Sequence, residues 1–143
     1  MRTHLTQQST PMVFLTAMFD ETMRLLVDAQ DYFSSYGPRD QANATPVERM
    51  VYSSEMSRIT IRLSSVMAWL LSRRAECAGE ITRQEAAERF RLAFGDVCLK
   101  EMPEMHHVLP EPVCSLLERS LELYRRAARL DDLLVEETRA TLH

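Results

Sequence analysis

Four residues in the last third of the chain carry side chains that could bind a metal: Cys98, His106, His107 and Cys114. Thiolate and imidazole suit zinc. Their spacing does not. No pair has the C-x-x-C form and adjacent histidines rarely hold one ion together, so the four are expected to be solvent-facing loop residues, with no metal or other cofactor. Cys114 lies near the expected start of a helix, with His107 close in sequence, and is the thiol best placed for nucleophilic chemistry. Cys77 sits near a helix C-terminus, where the dipole opposes a thiolate. The pairs Asp131-Asp132 and Glu136-Glu137 are adjacent, point to different sides of a helix and are expected to be solvated surface. No Gly-rich phosphate loop occurs, and no catalytic residue is expected.

A denser constellation lies between 46 and 78. Glu55, Arg58 and Arg62 stand at i, i+3 and i+7, on one helix face, and Trp69 continues it seven residues on. Ser54, Ser57, Ile61, Ser64, Ser65 and Ala68 form a neighbouring seam of mostly small residues, and Val51, Ile59, Leu63, Val66 and Leu70 supply an apolar side. Such a helix is contacted nearly all round, with charges embedded. Two explanations stay open: a surface Glu–Arg ladder of a few tenths of a kcal/mol per pair, or a helix partly buried by a second copy or a partner, with Glu55 and Arg58 paired. On the second, Glu55, Arg58, Arg62, Trp69, Arg73 and Arg74 form a candidate protein interface. The nine methionines could mark an adaptable surface but are expected to fill core.

The elements that position these residues are legible from caps and periodicity. Thr10-Pro11 opens a helix carrying Phe14, Met18, Leu25, Leu26, Ala29, Phe33 and Tyr36, which Gly37-Pro38 should close near 36. Thr45-Pro46-Val47-Glu48 is a capping box with proline at the first helical position, and the helix it opens should run from 46 to 78 and end at Gly79 in a left-handed cap. Thr82-Arg83-Gln84-Glu85 opens a short helix, 83–94. Residues 95–112 hold Pro103, Pro110 and Pro112 and are the least regular stretch. A last helix should run over 111–137. The reading is all-α: a three-long-helix up-down-up bundle with one short extra helix capping an end, dimeric, spanning 11–137 between a disordered leader (1–10) and a short flexible tail (138–143).

The 143 residues suit one domain. Apolar residues make up 45% and charged residues 27%, ordinary for a globular protein. Three glycines disfavour a turn-rich β fold. The net charge of -4 argues against a nucleic-acid partner, although the 46–100 segment is net +2 and could present a basic face to an acidic one. Three cysteines leave at least one unpaired, which argues against a disulfide framework. No signal peptide is expected, and the longest apolar run, Val66 to Leu71, is too short to span a bilayer, so the expected setting is cytoplasmic.

The stretch Tyr52-Ser53-Ser54-Glu55-Met56-Ser57-Arg58-Ile59-Thr60-Ile61-Arg62-Leu63, followed by Ala68-Trp69-Leu70-Leu71, Arg73-Arg74-Ala75 and Gly79-Glu80-Ile81-Thr82, resembles the RcdA-like family of alphaproteobacteria, the regulators of CtrA degradation. Phe14 to Asp20 with Met23, Leu25 and Leu26, and Leu116 through Arg126, resemble its first and last helices. The resemblance covers about 12–137. It implies a dimeric three-helix bundle without cofactor or catalysis, acting as an adaptor for the ClpXP protease beside a response regulator that primes ClpX, and tethering cargo for degradation. The family type carries a flexible tail after the last helix; here about six residues follow 137, and 95–112 is longer and more irregular. Two other readings compete: a helical nucleic-acid-binding or transcription-related regulator, motivated by the basic central segment, and a small enzyme using Cys114 and His107.

Overall fold

The computed structural model describes residues 2–142, with side chains over 12–142. Helix α1 is Arg2–Asp31 and passes through a π-helical turn, Tyr32–Tyr36, into α2, Gly37–Gln41. Helix α3 is Pro46–Cys77, α4 is Arg83–Arg89, α5 is Gly95–Cys98, a 3-10 turn spans Pro103–Val108, and α6 is Glu111–Leu142. There is no strand among the described residues. No helix among them is long and apolar enough to cross a membrane.

The caps read at Thr45, Thr82 and Gly79 are present, but the helix start read at Thr10-Pro11 is not, since α1 runs through those residues from Arg2. Thr45 Oγ1 accepts from Glu48 N at 3.2 Å and Thr82 Oγ1 from Glu85 N at 3.0 Å. Gly79 takes φ +78, and the N–H groups of Glu80 and Gly79 donate to Ala75 O and Glu76 O, which satisfies the last turn of α3 in a Schellman motif. The expected stop at Gly37-Pro38 does not occur. The π turn shifts the register so that Pro38 falls in the first turn of α2, where a missing N–H costs no helical bond. Tyr32 Oη donates to Asp40 at 2.7 Å and fastens the extension.

Gly37 is needed there for space rather than for its backbone angles. A Cβ on it would lie 2.6 Å from Tyr52 Oη and 3.4 Å from Tyr32 O. Gly37→Ala should therefore cost about 1–3 kcal/mol, the usual penalty for overpacking. Adding Tyr52→Phe, which removes the clashing oxygen, should restore most of it. Thermal unfolding of the single and double variants checks this; equal losses in both would mean that the clash is not the cause.

Three long helices form the bundle as expected, around a core that includes Leu25, Met56, Ile59, Leu63, Val66, Leu70, Val113, Leu116, Leu123, Tyr124 and Ala127. The direction of the last helix is a correction. Arg74 lies over the Phe19 ring and Phe33 meets Tyr52, so α1 and α3 are antiparallel. Arg119 pairs with Asp28 and Arg126 with Glu21, so α1 and α6 are antiparallel too. The order is up-down-down. The segment 78–110 makes the return leg: Ala86 lies at Arg73, Cys98 at Arg62 and His106 beside Glu55. It retraces 18 residues of α3, about 27 Å of helix, and does not cap an end of the bundle. Its own helix stops at Arg89 instead of 94, because Leu92 N donates to Asp131 Oδ2 and Ala93 O accepts from Tyr124 Oη; tertiary partners take the groups a longer helix would pair.

Helix α6 continues past 137 to Leu142. No Gly or Pro interrupts it, and Val135 and Thr138 are still buried. The expected leader over 1–10 falls on residues whose side chains lie outside those described; the backbone there belongs to α1 from Arg2.

Candidate functional site

The residues singled out on α3 do share one face, and that face is covered by the chain itself. Glu55, Arg58, Arg62, Trp69 and Arg73 are all at least nine-tenths buried. The extra neighbour that their pattern calls for is the return segment 78–110 together with α6. Arg74 alone of the six stays exposed, with its guanidinium 5.3 Å from the Phe19 ring centroid.

Arg62 is the centre of the arrangement. Nε donates to Cys98 O at 2.7 Å, Nη2 to Lys100 O at 3.1 Å, and Nη1 to Leu117 O and Ser120 Oγ at 3.0 and 3.2 Å. One side chain thus ties the return segment and α6 to α3. Among the described residues, no carboxylate lies within ion-pair distance of it. Burial and the nearby Arg58 charge lower its pKa, while Glu55 and Glu101 act in the opposite direction. Glu55 pairs with Arg58 one turn away, and its other oxygen, Oε2, lies 3.7 Å from His106 Nε2.

A second clamp sits nearer the far end of α3. Asp131 is 2% exposed. It accepts from Trp69 Nε1 at 2.9 Å, Arg91 Nε at 2.7 Å and Leu92 N at 3.2 Å, with Arg73 Nη2 at 3.9 Å. The bond to Asp131 is the main reason that the Arg91 pKa rises. Arg73 also donates to Ala86 O and to Glu76. Tyr124 Oη donates to Ala93 O at 2.6 Å, and burial pushes its pKa up.

Asp131 was expected to be solvated and is not; only Asp132 points outward. The spacing held the signal, since Asp131 continues the buried row Leu117, Ser120, Tyr124, Ala127 at helical intervals. Ser120, Tyr124 and Arg91 were likewise not singled out as site residues, and their partners Arg62, Ala93 and Asp131 lie 31 or more positions away along the chain.

The cysteine and histidine expectations divide. Cys98 is fully buried, contrary to a solvent-facing loop position. Among the described residues, no group of three or more His, Cys, Asp or Glu could hold a metal ion. Cys114 Sγ donates to His106 O at 3.6 Å, while His107 Nδ1 is bonded to Glu104 O, so the two do not form a nucleophile–base pair. Burial first, then Glu118 and Glu111, raises the Cys114 pKa above that of an ordinary thiol. Iodoacetamide should therefore alkylate Cys114 more slowly at pH 8 than it does free cysteine, by about tenfold for each unit of elevation. Labelling as fast as free cysteine would show an activated thiol.

The net +2 of the central segment also has a structural account. Buried Arg58, Arg62 and Arg73, less buried Glu55, make up all of it. The outer surface of 46–100 is charge-balanced, which removes the observation behind a nucleic-acid reading.

Comparison with known proteins extends over almost the whole chain. The structure is similar to that of RcdA from Caulobacter crescentus CB15, with a TM-score of 0.66 and 28% sequence identity, covering 84% of this chain and 89% of that one. No curated protein matches it. A family model described as "Protein of unknown function (DUF1465)" matches residues 6–142. The chain therefore belongs to the DUF1465 family.

Proposed function

We propose that this chain is a non-catalytic cytoplasmic adaptor that tethers cargo to ClpXP, beside a response regulator that primes ClpX, and so regulates degradation of cell-cycle regulators. The observation that carries this reading is the likeness to RcdA over 84% of the chain. The chemistry of the buried face supports it: the charged groups of the α3 signature are engaged in holding the fold, as in a scaffold whose work is done by its outer surfaces. Tethering acts by raising the local concentration of cargo at the protease.

An adaptor of this kind is proposed to work as a homodimer, and α3 offers a face for the second copy. Met50, Ser54, Ser57, Ile61, Ser64, Ala68, Leu71 and Ala75 recur at intervals of four and three, and are exposed or half-exposed and uncharged. Small side chains in such a row let two helices approach closely, and the spacing is that of a coiled-coil seam. Ala68→Glu should place like charges across a symmetric contact and lower the dimer fraction at least tenfold in sedimentation experiments while leaving the helical circular-dichroism signal intact. A dimer unaffected by it would put the second copy elsewhere.

Affinity capture of the tagged protein from its host's lysate tests the partner assignment. Recovery of ClpX or of a response regulator that primes it is the expected result. Recovery of neither from a clean background would remove this chain from the proteolysis pathway.

A further inference from the structure

A cavity of about 420 Å³ opens between the 3-10 turn, α3 and α6. It falls within the size range of binding pockets. Glu55 and His106 stand in its wall, with Leu117, Leu121, Glu118 and Glu122 on the α6 side. Glu55 is 3% exposed. Its Oε1 is taken by Arg58, and the facing His106 Nε2 is buried without a hydrogen-bond partner. Glu55 Oε2 and this nitrogen are 3.7 Å apart, beyond hydrogen-bond distance. A buried ring nitrogen without a partner is costly unless a polar group comes to lie against it.

We infer that this cavity receives the cationic side chain of an arginine or lysine from a partner protein. A cationic group seated beside the two atoms can direct one N–H to Glu55 Oε2 and another to His106 Nε2, which accepts when the ring proton is on Nδ1. The aliphatic stem of such a side chain matches Leu117 and Leu121, since long cationic residues bury their methylenes and keep the charged head on polar groups. Glu118 and Glu122 at the exposed rim make no ion pair among the described residues and favour a cation on approach. The cations already lining the cavity leave the position open. Arg62 is turned to main-chain carbonyls, Arg125 is held by Glu101 at 3.0 Å, and Arg129 lies on an exposed turn of α6. An anionic guest would meet the Glu55 carboxylate instead. The site stands on this geometry alone and holds whether or not the chain serves ClpXP.

The test is a titration of the full-length protein, followed by NMR, with acetyl-Gly-Arg-Gly-amide and with the citrulline peptide of the same shape, which lacks the charge. The arginine peptide should give saturable shifts at the His106 ring and the Leu117 and Leu121 methyls, with the citrulline peptide at least tenfold weaker. Glu122→Gln and Glu118→Gln, both at exposed positions that leave the fold intact, should each weaken the arginine peptide several-fold, and His106→Ala should weaken it further. Non-saturating shifts, equal binding of the citrulline peptide, or tighter binding of acetyl-Gly-Asp-Gly-amide would each overturn the assignment.

Discussion

Arg62→Met should lower the free energy of unfolding by about 3–5 kcal/mol. The reasoning turns on what remains after the change. Replacing a buried ion pair by apolar groups can be harmless, because both charges leave together. Here the guanidinium answers three main-chain carbonyls and the Ser120 hydroxyl, and none of those leaves with it. Cys98 O would stay inside without its Arg62 donor, at about 1–3 kcal/mol for an acceptor left unmet, and the Ser120 hydroxyl and Lys100 O lose theirs too, while Leu117 O keeps Ser120 Oγ. Methionine fills much of the volume, so the loss reports the hydrogen bonds rather than a cavity. Urea denaturation followed by circular dichroism reads it as a fall in midpoint of about 1–3 M. A loss under 1 kcal/mol would mean that water reaches these carbonyls and that the return segment is not held by Arg62. A purely intermolecular role for Arg62 makes a different forecast, weakened association at unchanged stability.

Asp131→Ala should have an effect of similar size, about 3–5 kcal/mol, and adjacent Asp132→Ala almost none, within about 0.5 kcal/mol. Asp131 is enclosed and receives three donors, while Asp132 is exposed and meets only Arg91. Removing Asp131 strands the Trp69 N–H and leaves Arg73 and Arg91 facing a site without a carboxylate. The return segment should loosen first, since its own large apolar residues Phe90, Phe94 and Leu99 point outward and contribute little to holding it. Hydrogen exchange at Leu92 and its neighbours should accelerate at least tenfold in Asp131→Ala while α3 stays protected. Uniform acceleration across α3 and the segment would show instead that the two open as one unit.

These two clamps also mark the limit of what the sequence conveys. Helix ends set by local chemistry were legible: Thr45 with Glu48, Thr82 with Glu85, and the Gly79 cap depend on residues within one turn. The Glu55–Arg58 pair was legible for the same reason. The direction of α6 was not, because it follows from where Arg62, Arg73, Tyr124 and Asp131 find carbonyls and donors up to 62 residues away. Gly37-Pro38 misled for a local reason of another kind, a π turn that carries proline into a fresh first turn. The face of α3 that carries the family signature was correctly located, but its neighbour is this chain rather than another. The inner face explains why those residue types stand there; the outer seam and the cavity are where partners are proposed to meet it.

The most direct test of the adaptor reading is the half-life of candidate ClpXP cargo, followed after synthesis is blocked, in the host and in a strain lacking this protein. The account predicts that at least one cell-cycle regulator degraded by ClpXP persists several-fold longer in the deletion strain, with normal turnover restored by the intact gene. Unchanged half-lives across that cargo set would contradict it.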